Sequence, residues 1–312
     1  MKKKILITGG AGCLGSALIE KYIPEGNEVL VIDNFATGKR EVLPAVKGLT
    51  VVEGTIADET LVNKCFQEFK PTHVINSAAS YKDLTNWAED ANTNIIGAIN
   101  VAKASLAAGV EKFVNFQTAL CYGNPLQIPI PITHQTAPFT SYGISKTAGE
   151  QFLLQSGLPI VSLRLANICG PRLSIGPIPT FYKRLKEGKS VFCSDTVRDF
   201  IDMSDFLSLM DIIMSPGNVV TGVFNVSTGE GHTIKDVFDV VSNYVNIPMP
   251  DVPVVPAGKD DVQKVVLDPT ETEKQFSWKA KIGFKETITR QLEWYDKYGI
   301  NDIYSHLTSG SK

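Results

Sequence analysis

The stretch Lys4-Ile-Leu-Ile-Thr8-Gly9-Gly-Ala-Gly-Cys-Leu-Gly15 decides the fold of this 312-residue chain. Its first five residues form a short, largely apolar run of the kind found in buried parallel strands, and a helical pattern follows the glycines. Glycine tolerates a tight turn here and allows a pyrophosphate to approach backbone N–H groups at the N-terminus of the helix. The stretch therefore predicts a strand, a glycine turn and a helix that together bind a dinucleotide.

The first half of the chain continues this alternation of short β-branched runs and helix-length segments. Such an alternation implies right-handed βαβ crossovers and an α/β fold with a doubly wound parallel Rossmann sheet. The predicted strands are Lys4–Thr8, Glu28–Asp33, Thr50–Glu53, His73–Ser77, Lys112–Gln117 and Ile160–Ala166, and the predicted helices are Leu14–Ile23, Glu59–Phe69, Ala91–Ala108 and Ser141–Ser156.

The second half is less regular and carries several proline-bearing loops. Two amphipathic helices are predicted in it, over Thr233–Val245 and Lys285–Tyr298. We predict a dinucleotide-binding domain over residues 1–168 and mainly a smaller C-terminal α/β lobe for the substrate over residues 169–312. Parts of residues 198–226 are expected to return to the first domain.

The composition is that of an ordinary globular protein, with 43% hydrophobic and 20% charged residues and a net charge of −3. This charge provides no electrostatic footprint for nucleic acid or an anionic membrane, and no apolar stretch approaches the length that crosses a bilayer. The five cysteines are scattered and include no Cys-x-x-Cys pair, and the four histidines are dispersed. We therefore expect no disulfide framework and no metal site, and a location in the reducing cytoplasm.

Asp33 ends the second predicted strand, eighteen residues after Gly15. A carboxylate at this place can accept hydrogen bonds from the adenosine ribose, and it repels a 2′-phosphate. Asp33 and Asn34 could instead merely begin a loop, and Lys39 and Arg40 are interpreted as part of a solvated surface. The position at the end of a strand favours NAD over NADP.

Tyr142 and Lys146 are four residues apart on a predicted helix, so their side chains lie on one face. At roughly 5 Å and an effective dielectric of about 20, an ammonium stabilises a phenolate by about 3 kcal/mol, or about two pKa units. The pKa of Tyr142 is therefore expected to fall from about 10 towards 8, where a tyrosine can take a proton from an alcohol. The spacing alone is common on exposed helices, so its interpretation depends on the other motifs.

Nearly from end to end, the chain resembles the extended short-chain dehydrogenase/reductase family, specifically its NAD-dependent nucleotide-sugar epimerase and dehydratase branch. The resemblance implies that Thr118 replaces the usual serine and hydrogen-bonds the reacting sugar hydroxyl. It implies that Tyr142 is the base and that Lys146 lowers its pKa and holds the nicotinamide ribose. The motifs that carry it are Thr8-Gly-Gly-Ala-Gly-Cys-Leu-Gly15, Asp33-Asn-Phe-Ala-Thr-Gly38, Asn76-Ser-Ala-Ala79, Asn94, residues 113–123, Arg164-Leu-Ala-Asn-Ile-Cys-Gly-Pro-Arg172, Arg198-Asp-Phe-Ile-Asp-Met-Ser-Asp205, Phe224-Asn-Val-Ser-Thr-Gly229 and Phe276-Ser-Trp-Lys-Ala-Lys281.

The same resemblance implies the remaining ligand contacts. Asn167 and Arg198 are expected to reach the nucleotide and diphosphate of the substrate, since arginine supplies bidentate forks for phosphate oxygens. Without the family pattern, Arg198 would be interpreted as a surface ion-pair partner of Asp199 or Asp202. The predicted cofactor contacts are Gly9, Gly12, Cys13, Leu14, Gly15, Asp33, Asn34, Ile56, Asp58, Ala78, Ala79, Tyr142 and Lys146.

Three segments depart from the family pattern. Gly54-Thr55 stands where a Gly-Asp pair usually lies near the adenine, so Asp58 or backbone groups are expected to bind the adenine instead. The segment Cys193–Val197 looks shorter than usual, and a late arginine is missing from Val254–Val262, where Lys259 could substitute. Because the last two segments read the sugar nucleotide, the nucleoside of the substrate (uridine, guanosine, thymidine or cytidine) remains open.

The reaction is narrowed by the two residues after Thr118. Members of this branch oxidise a sugar hydroxyl, usually at C4, and dehydratases carry Asp-Glu directly after the catalytic threonine. Ala119 and Leu120 can transfer no proton, which argues against a 4,6-dehydratase. We favour net 4-epimerisation through a 4-keto sugar, and a net 4-dehydrogenase whose NADH is reoxidised by another carbonyl compound stays open. A non-catalytic NAD-binding protein is disfavoured because Thr118, Tyr142 and Lys146 are all present.

Two further expectations concern partners. Lys82 is a candidate contact for an acidic group on the sugar, such as a C6 carboxylate, although a loop lysine is more often solvated. The predicted helices Ala91–Ala108 and Ser141–Ser156 carry small and apolar residues on more than one face, and the resemblance implies that they pair in a homodimer. It also implies a role in preparing sugars for bacterial surface polysaccharides.

Overall fold

The computed structural model describes residues 2–81, 83, 85–258 and 261–300. The chain divides into two compact units: the first comprises Met1–Gly123, Gln135–Leu165 and Leu207–Asn225, and the second comprises Asn124–His134, Ala166–Phe206 and Val226–Lys312. The division predicted after residue 168 thus lies after residue 165, and residues 124–134 belong to the second unit. The reason is local pairing, because Ile130 forms a parallel bridge with Leu267 and donates its N–H to Val266 O at 2.8 Å.

The secondary structure of the described residues follows the chain in this order. The strands are β1 (Lys4–Thr8), β2 (Glu28–Asp33), β3 (Leu49–Glu53), β4 (His73–Asn76), β5 (Lys112–Thr118), β6 (Ile160–Leu165), β7 (Asn167–Cys169), β8 (Cys193–Ser194), β9 (Val197–Arg198), β10 (Phe200–Asp202), β11 (Gly222–Val226), β12 (His232–Thr233), β13 (Val254–Val255) and β14 (Lys264–Val265). The α-helices are α1 (Cys13–Tyr22), α2 (Glu59–Phe69), α3 (Trp87–Ala91), α4 (Ala98–Ala108), α5 (Ser141–Gln155), α6 (Pro177–Lys186), α7 (Met203–Ile213), α8 (Ile234–Tyr244), α9 (Thr270–Phe276) and α10 (Phe284–Tyr298). Short 3₁₀ turns cover Arg40–Val42 and Ala119–Tyr122, and a π-helical segment covers Asn92–Gly97.

A seven-stranded sheet organises the first unit. Its order is β11-β6-β5-β4-β1-β2-β3, and the pairs β1–β2, β2–β3, β1–β4, β4–β5 and β5–β6 are parallel. The neighbours β1 and β4 are separated in sequence by β2 and β3, so the strand order reverses at β1 as in doubly wound sheets. The predicted α/β fold with a doubly wound parallel Rossmann sheet is confirmed.

The helix predicted over Ala91–Ala108 differs in the structure. Helix α3 begins earlier, at Trp87, and the π-helical segment separates it from α4. A Cβ atom at Gly149 in α5 would lie 2.2 Å from Asn94 O, so α5 packs backbone against backbone on the π-helical turn. A π-helical turn inside a helix often marks a functional site, and here it adjoins the helix that carries Tyr142 and Lys146.

Each unit has its own apolar core. In the first unit, buried side chains from the sheet pack against α2, α4 and α5, among them Leu6, Val74, Val101 and Leu153. In the second unit the core lies among α6, α8 and α10, where the rings of Phe181 and Phe238 meet edge to face at 5.3 Å. The second unit has only short paired strands, in the groups β10-β7, β12-β9-β14 and β13-β8 of the described ranges. Across those same ranges, no helix has the length and apolar character that crossing a membrane requires.

Candidate active site

The turn between β1 and α1 has the form of a phosphate-binding turn. Gly9 has a φ of +67°, and a Cβ atom there would lie 2.7 Å from Ala78 Cα, so the end of β1 approaches the segment after β4 too closely for a side chain. Gly12 caps α1 without a side-chain hydrogen bond. A bound phosphate can therefore take the place that a capping side chain occupies at other helices. Cys13, Leu14 and Gly15 form the first turn of α1.

Asp33 is fixed against this turn by two backbone donors. Ala11 N donates to Asp33 Oδ2 and Phe35 N donates to Asp33 Oδ1, both at 2.8 Å, and the residue is buried. A carboxylate has about four lone-pair sites, so Asp33 can still accept hydrogen bonds from ribose hydroxyls. Asn34 is exposed and accepts a hydrogen bond from Ala36 N at 3.1 Å. The glycine turn and Asp33 together fit a dinucleotide that lacks a 2′-phosphate.

Asp58, predicted near the adenine, and Ile56, predicted to contact the cofactor, have structural contacts of their own. Asp58 is the N-cap of α2 and accepts a hydrogen bond from Leu61 N at 3.0 Å. Ile56 is buried, and its carbonyl oxygen accepts a hydrogen bond from Asn100 Nδ2 at 3.0 Å. The capping role explains an aspartate at position 58 independently of the cofactor, and sequence reasoning did not assign it.

Thr118 and Tyr142 meet where β5 ends and α5 begins. The Thr118 hydroxyl oxygen accepts a hydrogen bond from Leu120 N at 3.1 Å, and a side-chain hydrogen bond joins the Thr118 hydroxyl to the phenol of Tyr142. Helix α5 starts at this point because its N-cap, Thr140, accepts a hydrogen bond from Gly143 N at 3.1 Å. Local capping thus places the phenol beside the threonine that the sequence analysis paired with it.

Lys146 lies one turn beyond Tyr142 and is buried. The backbone carbonyl of Lys146 accepts a hydrogen bond from Gln117 Nε2 at 3.0 Å, which ties α5 to the strand residue before Thr118. Burial lowers the pKa of Lys146 to about 8, and the negative charge of Glu150 opposes that fall.

The pKa of Tyr142 differs from the expectation that it falls towards 8. Burial raises this pKa above the ordinary value of tyrosine, Tyr81 and Asp90 add to the rise, and the hydrogen bond from Thr118 lowers it. The physical reason is desolvation, because the phenolate of the partly buried Tyr142 loses more hydration than its neighbours in the protein replace. Placing Lys146 one turn away is therefore insufficient by itself to acidify the phenol.

Asp90 and Asn94 also support the site, and the sequence analysis did not give either of them a contact. The Asn94 side chain exchanges two hydrogen bonds with the backbone of Ser80 (2.9 and 3.0 Å) and donates to Ser145 Oγ at 3.0 Å. Asp90 accepts hydrogen bonds from Ser80 Oγ at 2.8 Å and from Ser141 Oγ at 2.6 Å. Together they fasten the loop after β4 to the first turns of α5. The signal available in the sequence was their spacing of four residues across the start of the helix predicted over Ala91–Ala108.

The residues predicted to bind the nucleotide lie in the second unit. Asn167 donates both its backbone N–H and its Nδ2 to Asp199 O, each at 3.0 Å. Arg198 forms an ion pair with Asp261 and donates to Val197 O at 2.8 Å. The partner of Arg198 is thus Asp261, and neither Asp199 nor Asp202 takes the role considered for it as a surface partner. Lys82 and Lys259, the two lysines predicted near the substrate, lie outside the described residues.

Comparison with known proteins identifies the class. The model of the NAD dependent epimerase/dehydratase family matches residues 5–227. The enzyme WbmG of Bordetella bronchiseptica, solved with NAD and with NAD and UDP, is 66% identical; the alignment covers 99% of this chain and 98% of WbmG, with a TM-score of 0.93. UDP-glucose 4-epimerase of Thermotoga maritima, solved with UDP-glucose, is 31% identical over 94% of this chain and 99% of its own, with a TM-score of 0.85. UDP-glucose 4-epimerase of Streptomyces lividans is 26% identical over 96% of this chain and 98% of its own.

The fold and these similarities define an NAD-dependent enzyme of the short-chain dehydrogenase/reductase type. Within that class, the chain belongs to the NAD dependent epimerase/dehydratase family. The predictions of the family, of an enzyme and of NAD as the cofactor are confirmed.

Proposed function

We propose that this protein is a UDP-sugar 4-epimerase, which oxidises the sugar at C4 and reduces the ketone from the opposite face. The observation that carries the proposal is the hydrogen bond between Thr118 and Tyr142, one turn before buried Lys146. Support for the nucleotide comes from WbmG, which was solved with UDP, and from the Thermotoga maritima enzyme, which was solved with UDP-glucose. The sugar itself is left to experiment.

In this proposal Tyr142 removes the proton from the C4 hydroxyl and returns it to the same oxygen in the reverse step. NAD, when bound, accepts the hydride from C4 and gives it back. Thr118 hydrogen-bonds the reacting hydroxyl, and the positive charge of Lys146 offsets part of the cost of forming the phenolate in a buried place. One proton and one hydride leave and return, so the net reaction is an isomerisation.

Elimination of water is disfavoured by what surrounds Thr118. A 4,6-dehydratase needs an acid and a base to remove the C5 proton and the C6 hydroxyl, and the positions after Thr118 are Ala119 and Leu120 in the 3₁₀ turn. Neither side chain can transfer a proton. We therefore propose that the 4-keto sugar is reduced again and not dehydrated.

Arg198 is proposed as the diphosphate contact in the second unit, with Asn167 beside the nucleotide. Arg198 is largely buried, and its partner Asp261 is more exposed, with side-chain exposures of 13% and 43%. A diphosphate, which carries more charge than one carboxylate, can replace Asp261 on the guanidinium. Loss of UDP affinity in Arg198→Lys, which keeps the charge and loses the fork, would support this assignment.

A second copy of the chain is proposed as the partner. Ile144 and Phe152, eight residues apart on α5, are about half exposed, as are Ile96 and Leu106 on the preceding helical segments. We propose that these four side chains form the homodimer face. A reducing compartment such as the cytoplasm is also proposed, because none of the five cysteines, all of which lie in the described ranges, forms a disulfide. The proposed role in surface polysaccharide synthesis rests on the family resemblance alone.

The test is incubation of the purified enzyme with NAD and a panel of UDP-hexoses and UDP-hexuronates, followed by NMR of the products. We expect one pair of C4 epimers to interconvert to a fixed ratio without accumulation of NADH. Tyr142→Phe should abolish this interconversion and keep NAD binding. Stoichiometric NADH without an isomeric product would replace the epimerase with a net dehydrogenase, and a product lacking the C6 hydroxyl would replace it with a dehydratase.

A further inference from the structure

Glu150 lies one turn beyond Lys146 on α5, and its side chain is fully buried. Its carboxylate accepts hydrogen bonds from Ser162 Oγ at 2.6 Å, from Arg164 Nη2 at 2.8 Å and from Arg164 Nε at 3.3 Å. A carboxylate is rarely buried without a matched cation, so this pair has a cost that the fold must offset. The proposed reaction gives Glu150 no role.

Arg164 also contacts Tyr122, at the end of the 3₁₀ turn that follows Thr118. Its Nη1 donates to the hydroxyl of Tyr122 at 3.1 Å, and its guanidinium lies 4.9 Å from the centre of the Tyr122 ring. Tyr122 in turn donates to Asn225 Oδ1 at 2.7 Å. Because Tyr122 ends the 3₁₀ turn that begins after Thr118, Arg164 joins the turn that carries Thr118 to the helix that carries Tyr142 and Lys146.

A row of hydrogen-bonded side chains also connects Glu150 to the strands of the sheet. Thr8, Asn76, Asn115 and Ser162 occupy one register level of β1, β4, β5 and β6, and each is hydrogen-bonded to the next at 3.0 to 3.1 Å. The row ends on Glu150 at one side. At the other side, Thr8 Oγ1 accepts hydrogen bonds from the backbone of Ser77 and Ala78, in the segment predicted to contact the cofactor.

We propose that Glu150 is a positioning residue of the active site: paired with Arg164, it sets the spacing of Thr118, Tyr142 and Lys146 and keeps the Lys146 ammonium charged. This inference rests on the proposed function only in taking those three residues as the site. The charge effect is local, because Glu150 lies one turn from Lys146 on α5 and raises the pKa of Lys146.

The other ionisable groups on the elements packed against α5 have different partners. Asp90 of α3 is bound to Ser80 and Ser141, and its charge acts on Tyr142. Lys112 of β5 donates to Val220 O, and Lys103 of α4 pairs with Glu59. Glu89 of α3 accepts a hydrogen bond from Thr93. The thiol of Cys121, which also senses the charge of Glu150, has a pKa that burial raises to about 12, so it does not titrate near the midpoint of Lys146.

Removing the charge of Glu150 and removing the charge of Arg164 should shift the protonation midpoint of Lys146 in opposite directions. If the pair only stabilised the fold, the two substitutions would not differ in this way. Glu150→Gln keeps the shape and an acceptor for Ser162 but removes the negative charge, so the protonation midpoint of Lys146 should fall by about one pH unit. Arg164→Gln leaves the carboxylate without its neutralising partner, so the midpoint should rise. Glu68→Gln, an exposed carboxylate on α2, is the matched control and should leave the midpoint unchanged.

The experiment is an NMR titration of the whole protein labelled with ¹³C at the lysine ε-carbon, with the Lys146 signal identified by its loss in Lys146→Arg. The proposal is supported if the protonation midpoint of Lys146 falls in Glu150→Gln and rises in Arg164→Gln. Unchanged midpoints, or shifts of the same sign in both variants, overturn it. If one of the two variants does not fold, the other still decides: a fall of the midpoint in Glu150→Gln or a rise in Arg164→Gln supports the proposal, and an unchanged midpoint overturns it.

Substrate is absent from this titration, so its result does not depend on the sugar. Should Tyr142→Phe retain turnover, the proposed function fails while the Lys146 midpoints still decide the role of Glu150. In the active enzyme, the alkaline pH at which turnover declines should move down in Glu150→Gln by the same amount as the midpoint.

Discussion

A hydrogen bond joins the side chains of Thr118 and Tyr142 across the junction between the end of β5 and the first turn of α5. The bond stabilises the phenolate form of Tyr142, whereas burial, Tyr81 and Asp90 all destabilise it. Removing this bond should therefore affect the base itself as well as the substrate hydroxyl.

Thr118→Val preserves the shape of the side chain and removes the hydroxyl. We expect kcat to fall by about 10²- to 10³-fold, the range observed when a single preorganised donor is lost from an active site. Thr118→Ser restores the donor and should recover most of the activity. Epimer formation followed by NMR measures both variants. A Thr118→Val enzyme with undiminished kcat would show that the hydroxyl plays no part in the reaction.

Asp33→Ala should weaken NAD binding by about 10- to 100-fold, because a charge-assisted hydrogen bond is worth about 1.5–3 kcal/mol. The variant also leaves Ala11 N and Phe35 N without their acceptor. Isothermal titration with NAD and with NADP measures the change, and discrimination against NADP should decrease. Tighter binding of NADP than of NAD by the unmodified enzyme would be incompatible with the proposed role of Asp33.

Asp58→Ala is the informative comparison for the adenine site. As an N-cap, Asp58 should contribute about 1 kcal/mol to the free energy of unfolding, and Asp58→Asn should retain most of that contribution. Urea unfolding measures the contribution of the N-cap to the free energy of unfolding, and titration with NAD measures the affinity for the cofactor. A loss of NAD affinity in both variants at equal stability would favour the predicted adenine contact.

Burial of the Lys146 side chain should lower the free energy of unfolding by an amount that depends on pH. Its pKa is lowered from 10.5 to about 8 by burial, so between these values the unfolded chain binds more protons than the folded protein and stability rises with pH. Below pH 8 the charged side chain is buried at full cost. Lys146→Met should therefore raise the free energy of unfolding at pH 7 by up to about 3 kcal/mol, and the gain should shrink towards pH 10.

Urea unfolding at pH 7 and pH 10 checks this expectation, with Lys103→Met as the control. The side chain of Lys103 is 64% exposed, so its replacement should give no difference that depends on pH. A gain from Lys146→Met that is equal at both pH values would mean that the lysine is not the source of the pH dependence.

Phe152→Glu should dissociate the proposed homodimer, because a charge in the middle of an apolar face is costly to bury. Light scattering of the wild type and the variant measures the mass. Val219→Glu is the matched control, since Val219 is an exposed apolar residue outside the proposed face. If the unmodified protein is a monomer, this surface does not pair copies of the chain.

Patterns of short range in the sequence were sufficient for the fold. The run before Gly9 and the glycine turn predicted β1 and the start of α1, and the strands predicted over Glu28–Asp33 and Lys112–Gln117 agree with β2 and β5 to within one residue. Such elements are encoded locally, because a buried strand needs continuous apolar residues and a helix needs a periodic face. The π-helical turn at Asn92–Gly97 was not predictable, since it depends on how closely Gly149 approaches Asn94.

By itself, the sequence determined the parallel sheet and the dinucleotide turn, because these follow from periodicity and spacing along the chain. The candidate set Thr118, Tyr142 and Lys146 followed from the spacing of Tyr142 and Lys146 together with the family resemblance. Tertiary structure decided the electrostatics of that set. Only packing shows that desolvation raises the pKa of Tyr142, and only packing brings Glu150 to Arg164. Burial and charge pairing depend on which distant side chains surround a group, and spacing along the chain does not contain that information.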